Sequence, residues 1–171
     1  MQLAQVGDES AIFDLYDRVI QHVNATDIKL GWNTATYPDM EFINTAIANG
    51  QMCIVKDADE IVAAAVVNHH VNPEYDDIDW EVKAPKDRIA TIHALATSPK
   101  KRGTGLSMSF LAELDAYCKA QGDVAIHLDV IDTNIPAYKL YTRSGYSEVA
   151  CIKMYYEVVG TREFWMMEKV L

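Results

Sequence analysis

Cysteine is scarce in this chain, positive charge is in deficit, and no apolar run is long. The three cysteines, Cys53, Cys118 and Cys151, are odd in number, far apart and set among apolar neighbours. That spacing excludes a zinc cluster and a disulfide framework, and it predicts three buried thiols in a reducing cytoplasm. Fifteen Lys and Arg stand against 25 Asp and Glu, a formal net charge of −10. Such a chain repels nucleic acid and anionic lipid, while its field favours a cationic small molecule. The longest aliphatic run, Ile61 to Val67, is seven residues, far below the ~20 of a membrane-spanning helix. Asp8 and Glu9 precede the first apolar stretch, so neither a secretory nor a transit segment is expected. Repeats, low-complexity tracts and linkers are missing too, which predicts one domain over residues 1–171. Half of the residues are apolar, enough for a sizeable core and too many for disorder.

Apolar spacing gives the order of elements. After a short strand at Leu3 to Val6, Ile12, Tyr16, Val19, Ile20 and Val23 form a helical stripe, with Asp8 placed to cap it. A polar loop with Trp32 leads to a second helix from about Asp39 to Asn49-Gly50. Met52 to Lys56 and Ile61 to His70 read as a hairpin around an acidic turn. Asn72 to Lys86 is a polar excursion between Pro73 and Pro85. Arg88 to Thr97 is a strand, Leu106 to Gly122 a helix and Ala125 to Val130 a strand. Ile135 to Arg143 is a short helix capped by Asn134. Strands near Tyr146 to Tyr155 and Arg162 to Lys169 close the chain. Early hairpins and a central strand-helix-strand unit predict an α/β fold with a mixed sheet.

Lys100-Lys101-Arg102-Gly103-Thr104-Gly105 is the only run of three positives. It follows a strand and opens a helix, so glycine-permitted turns and unpaired helix N–H groups can meet a phosphate. A P-loop would need Lys-Ser/Thr after the last glycine, where Leu106-Ser107 stands. A dinucleotide fold would need a third glycine, and Leu106, Ser107 and Met108 follow instead. Thirty residues on comes Asn134-Ile135-Pro136-Ala137-Tyr138-Lys139-Leu140-Tyr141-Thr142-Arg143-Ser144-Gly145-Tyr146. Together the two stretches resemble the GNAT superfamily of acyl-CoA-dependent N-acetyltransferases. Its loop runs Arg/Gln-x-x-Gly-x-Gly/Ala, and its downstream stretch Asn-x-x-Ala-x-x-Leu-Tyr-x-x-x-Gly-Phe. Ser107 stands where Gly or Ala is usual, and Tyr146 where Phe is usual.

The resemblance implies a mostly antiparallel sheet of six to seven strands, flanked by about four helices and splayed between the fourth and fifth strands. It implies acetyl-CoA as co-substrate, held at the pyrophosphate by backbone N–H groups of Arg102, Gly103, Thr104, Gly105, Leu106 and Ser107. Leu95, Ala96 and Thr97 would pair with the pantetheine arm, which Asn134 would also meet, and a main-chain N–H near Ala96 or Thr97 would meet the oxyanion. Tyr141 would be the general acid for the departing thiolate. The implied reaction is acetyl transfer to a primary amine of a small-molecule or peptide acceptor, by direct attack in a ternary complex. A homodimer is compatible with this reading.

The general base is open between two residues. Many relatives place Glu where Thr91 stands, and threonine cannot serve. His93 shares that strand face and has the pKa range to take an amine proton through water; Glu81, after Trp80, is the other candidate. His69 and His70 lack further ligands at suitable spacing, so no metal is expected. Five carboxylates lie between Glu74 and Glu81 with Tyr75 and Trp80 among them, which predicts an acidic, aromatic rim for a cationic acceptor. The competing reading is a non-catalytic acyl-CoA-binding or regulatory module on the same fold.

Overall fold

The computed structural model describes residues 1–157 and 159–171. Its strands are β1 (Gln2–Leu3), β2 (Met52–Asp57), β3 (Glu60–Asn68), β4 (Ile89–Thr97), β5 (Ala125–Ile131), β6 (Ser147–Tyr156) and β7 (Gly160–Val170). The helices are α1 (Glu9–Asn24), α2 (Met40–Ala48), α3 (Leu106–Gln121) and α4 (Ile135–Arg143). The strands form one seven-stranded sheet in the order β1-β2-β3-β4-β5-β7-β6. Neighbours are antiparallel except β4 and β5, which run parallel because α3 carries the chain back between them.

Both faces of the sheet are covered. On one, α1 and α2 set Ile12, Leu15, Tyr16, Ile43 and Ile47 against Ile54, Ala64 and Val66. On the other, Phe110, Leu111, Leu114 and Cys118 of α3 pack on Ala90, Ile92, Ile126 and Leu128. A third cluster lies beyond α1 and α2, where Tyr75 and Trp80 of the excursion cover Ile131, Phe164 and Met166. The excursion holds two short 3-10 turns, Pro73–Asp77 and Lys86–Arg88. Among the described residues no helix is long and apolar enough to cross a membrane.

Some local expectations are corrected. Asp8 places no side-chain oxygen on the first turn of α1; its carboxylate instead accepts the Gln5 N–H at 3.0 Å and Lys56 Nζ at 2.8 Å. Asp39 does cap α2, accepting from Phe42 N–H at 2.8 Å. The first strand is only Gln2–Leu3, because Gln5 and Asp8 close a turn directly after it. Cys53 and Cys118 are buried, with thiols pushed up to about 12 by desolvation. Cys151 is exposed, because β6 is the outer strand of the sheet.

Candidate active site

The sheet opens at its centre. β4 and β5 are in register at Ile89↔Ala125, Ala90↔Ile126 and Thr91↔His127, and the pairing ends there. From Ile92 to Thr97, β4 keeps its ladder with β3 on one side, while its other flank has no strand partner among the described residues. A bulge lies inside this stretch. Val66 pairs with His93 and Ala64 with Ala96, so β4 holds one more residue than β3. Ala94 absorbs it at φ 50°, a left-handed backbone that is costly for a residue with a side chain. Tyr16, fully buried on α1, holds the bulge by donating its hydroxyl to Ala94 O at 2.9 Å. Leu95, Ala96 and Thr97 follow with altered direction.

Beyond Thr97 the chain makes a 3-10 turn, Pro99–Lys101, and enters the glycine loop. Gly103 and Gly105 have φ 76° and 84°. At both, a Cβ would meet nothing within 4 Å, so the requirement for glycine is conformational and the space before the loop is open. Gly105 is the N-cap of α3 and supplies no side chain to the first turn, which leaves early helix N–H groups facing that space. The Thr97 and Ser107 hydroxyls are 2.9 Å apart, and Thr104 Oγ1 donates to Lys101 O at 2.7 Å, bracing the loop from within. Lys101 pairs with Asp57 and Lys100 with Glu60, while an Arg102 guanidinium nitrogen lies 2.9 Å from His22 Nε2.

On the opposite lip, Asn134 caps α4 by accepting Ala137 N–H at 3.3 Å. Two helical turns further, Tyr141 is 8% exposed, with its ring edge-on to Tyr146 at 5.6 Å. Burial, then the charge of Asp129, pushes its phenol well above the usual value. Asp129 lies on β5 just past the splay and is half-buried. It accepts hydrogen bonds from the hydroxyls of Tyr75, at 2.8 Å, and Tyr156, at 3.4 Å. Desolvation raises its carboxyl above the usual carboxylate value, against those two donors. Tyr37, from the loop between α1 and α2, is also pushed up, by burial and then by the charge of Asp129. Two tyrosines from separate parts of the chain thus bond this carboxylate, and two more feel its charge.

The family model for the acetyltransferase (GNAT) family matches residues 17–146, from α1 to the end of the α4 motif. The chain belongs to this acetyltransferase family. Acetyl transfer is its reaction and acetyl-CoA its donor. A GNAT-family acetyltransferase from Streptococcus agalactiae superposes with TM-score 0.82 at 21% identity, covering 99% of this chain and 94% of that one. A ribosomal-protein-alanine N-acetyltransferase from Brucella melitensis gives TM-score 0.72 at 16% identity, with 99% and 98% covered. A Salmonella typhimurium protein solved with its cofactor acetyl-CoA gives TM-score 0.68 at 14% identity, with 99% and 92% covered. No curated protein matches the chain in sequence.

The two candidate bases of this acetyltransferase fare differently. His93 is half-buried on β4, with Nε2 3.0 Å from His70 O and 3.1 Å from Asn68 Oδ1. Both are acceptors, so Nε2 carries the proton and Nδ1 keeps the basic lone pair. Desolvation holds the ring below its usual pKa, so the free base dominates at neutral pH. Glu81 is exposed, and its backbone N–H is committed to Glu168 Oε1 at 2.9 Å.

The expected acidic, aromatic rim needs correction. Tyr75 and Trp80 are 4% and 8% exposed, and Trp80 stacks on His127 with centroids 3.6 Å apart. Their faces therefore do not greet an entering cation. Two of the acids are paired, Asp76 with Lys86 and Asp79 with Lys83, each at 2.5 Å. Asp129, absent from the sequence-based candidates, is the carboxylate at the splay. Its sequence neighbours give no hint of it, because its hydrogen-bond partners are Tyr75 and Tyr156.

A pH dependence of stability follows from the two depressed imidazoles. Both His93 and His127 are lowered mainly by burial from the usual 6.5. The unfolded chain therefore takes up protons below about pH 6.5 that the folded chain refuses. Stability is full above that pH and declines as pH falls toward the folded-state values. Urea midpoints should drop between pH 7.5 and 5.5, and the drop should shrink in His93→Gln. An unchanged midpoint in the parent protein would exclude this linkage.

Proposed function

We propose that the chain transfers the acetyl group of acetyl-CoA to a primary amine of a small acceptor, by direct attack within a ternary complex. The observation that carries this reading is a carboxylate just past the splay, Asp129, which accepts from the Tyr75 and Tyr156 hydroxyls and whose charge helps raise the Tyr141 phenol. Acetyl-CoA lies with its pyrophosphate on the N–H groups of Arg102 to Ser107 and its pantetheine along Leu95 to Thr97. Asn134 lines the same passage. The Salmonella protein solved with acetyl-CoA, similar in fold over nearly all of this chain, supports acetyl-CoA as the donor.

The acceptor arrives as an ammonium, and Asp129 holds it by charge with the help of Tyr75 and Tyr156. His93 Nδ1 takes a proton through water, leaving a neutral nitrogen. Nitrogen attacks the thioester carbon, and a main-chain N–H near Ala96 or Thr97 meets the oxyanion. The carbon–sulfur bond then breaks as Tyr141 gives its proton to the thiolate, and the surplus proton on the attacking nitrogen passes through water to the phenolate, leaving a neutral amide and free coenzyme A thiol. A phenol raised by burial stays protonated across the working pH range, as an acid must. Glu81 is the poorer base, being turned to solvent.

The test is acetyl-CoA consumption over a panel of amines, with Asp129→Asn alongside the parent. Losing one charged contact to the ammonium costs about 1.5–3 kcal/mol, so acceptor KM should rise roughly 10- to 150-fold. Acetyl-CoA affinity should stay level. An unchanged acceptor KM would remove Asp129 from the site. Binding of acetyl-CoA without turnover of any amine would favour the non-catalytic module.

A further inference from the structure

The excursion between β3 and β4 has little regular structure of its own, only the two 3-10 turns. From Pro73 to Ala84, the hydrogen bonds that reach the sheet end, among the described residues, on two carboxylates. These are Asp129 of β5 and Glu168 of β7. The ion pairs Asp76–Lys86 and Asp79–Lys83 stay inside the excursion and face water, so they add little to its attachment.

Glu168 is 3% exposed, and a carboxylate that deep needs donors to replace its water. Three supply it. The backbone N–H groups of Glu81 and Val82 donate to Oε1 at 2.9 and 3.2 Å, and His127 Nε2 lies 2.7 Å from Oε2. A carboxylate only accepts, so Nε2 is the donor of that third bond. His127 and Glu168 are directly opposite across β5 and β7 and share a face of the sheet. The pair ties the excursion to the sheet at residues 81 and 82.

From that tie a line of contacts runs to the splay. Trp80, beside Glu81 in the chain, lies flat on the His127 ring, with centroids 3.6 Å and planes 16° apart. Its indole N–H donates to Tyr75 O at 2.9 Å, which fixes the backbone of the first 3-10 turn. The Tyr75 hydroxyl then donates to Asp129 Oδ2 at 2.8 Å. Glu168, His127, Trp80 and Tyr75 are all buried, so water does not compete for these bonds and each gains strength from the low dielectric.

We propose that Glu168 is a positioning residue for the acceptor site, anchoring the excursion so that Trp80 places Tyr75 and Tyr75 orients the Asp129 carboxylate. The inference rests on the reading of Asp129 as the partner of the ammonium, and it adds where that carboxylate's geometry comes from. Glu168 and Trp80 act from outside the site and touch neither the acceptor nor the reacting atoms.

The experiment measures steady-state kinetics of the full chain with spermidine, 2-phenylethylamine and glycylglycine as amines at saturating acetyl-CoA. The acetyl-CoA melting shift reports that each variant is folded. Glu168→Leu removes the acceptor, whereas Trp80→Phe keeps a ring on His127 and removes only the bond to Tyr75. Glu168→Gln keeps an oxygen for the two backbone N–H groups, and His127 can accept from its amide by moving the proton to Nδ1. Members of one hydrogen-bond network couple by roughly 2- to 150-fold. Glu168→Leu and Trp80→Phe should each raise the KM of the acetylated amine by at least about 5-fold, with kcat held within about 2-fold and Glu168→Gln close to the parent. In an Asp129→Asn background, Glu168→Leu should add less than about 2-fold, because its effect runs through that carboxylate.

An unchanged KM in the folded variants would overturn the inference, and so would a rise that multiplies in full with that of Asp129→Asn. Trp80→Phe decides alone if Glu168→Leu does not fold. When Asp129→Asn itself raises KM in those cases, acetyl transfer at Asp129 stands and only the positioning role of Glu168 fails. An Asp129→Asn variant with unchanged KM, or three amines left unacetylated, would end both.

Discussion

Tyr141→Phe is expected to lower kcat by ~100- to 10,000-fold, the usual worth of a positioned general acid, while acetyl-CoA affinity holds. The hydroxyl acts only as the carbon–sulfur bond breaks, so its loss falls on the transition state and spares the ground state. The variant is a clean one for structural reasons. The ring packs edge-on to Tyr146 at 5.6 Å and is buried, and phenylalanine keeps those contacts. Melting temperature should therefore match the parent. Turnover is measured with saturating acetyl-CoA, and affinity by the melting shift the cofactor causes. Unchanged turnover would make Tyr141 a core aromatic and leave the thiolate to be protonated by solvent.

Gly105→Asp should abolish the acetyl-CoA melting shift. Ligand at 100 times its Kd stabilises a fold by about 2.7 kcal/mol. For a domain of this size each kcal/mol moves Tm by ~2–4 °C, so the parent should gain roughly 5–10 °C. At position 105 the side chain would enter the open space before the α3 N-terminus, where no atom lies within 4 Å. A carboxylate there would oppose the pyrophosphate directly. Because Gly105 has φ 84°, the variant also carries about 1–2 kcal/mol of backbone strain. The shift must therefore be read against the variant's own Tm. A full shift in Gly105→Asp would move the pyrophosphate away from this loop.

The parts of the site that lie close together in sequence were legible there. Lys100 to Ser107 carries a turn, two left-handed glycines and a helix start in eight residues, and Asn134 to Tyr146 carries cap, acid and stop in thirteen. Apolar spacing located the four helices for the same reason, since a stripe repeats within a few turns. Asp129 could not be found that way. Its surroundings come from residues 37, 75, 141 and 156, and only the packed fold brings them together. In sequence it is the one acid in a strand whose only other polar residue is His127. The bulge at Ala94 was hidden too, because alanine gives no sign of a left-handed backbone that Tyr16 holds from another element. The excursion misled in the other direction. A run of acids with two aromatics reads as a rim facing an acceptor, yet Tyr75 and Trp80 are the residues that fold inward over the third core cluster.

The splay has a further consequence when weighed as an aggregation risk. Unpaired strand flanks ordinarily sit at the outside of a sheet, where another chain can add to them. Here β4 from Ile92 onward carries such a flank at the middle of the molecule, with β5 diverging opposite and helices on both faces. A foreign β-strand, with side chains above and below its plane, has no room to approach. A thin linear molecule does. The protein thus keeps backbone donors and acceptors free for recognition without exposing them to self-association, and the outer strand β6 remains a conventional edge to guard, with Glu148 and Lys153 exposed along it.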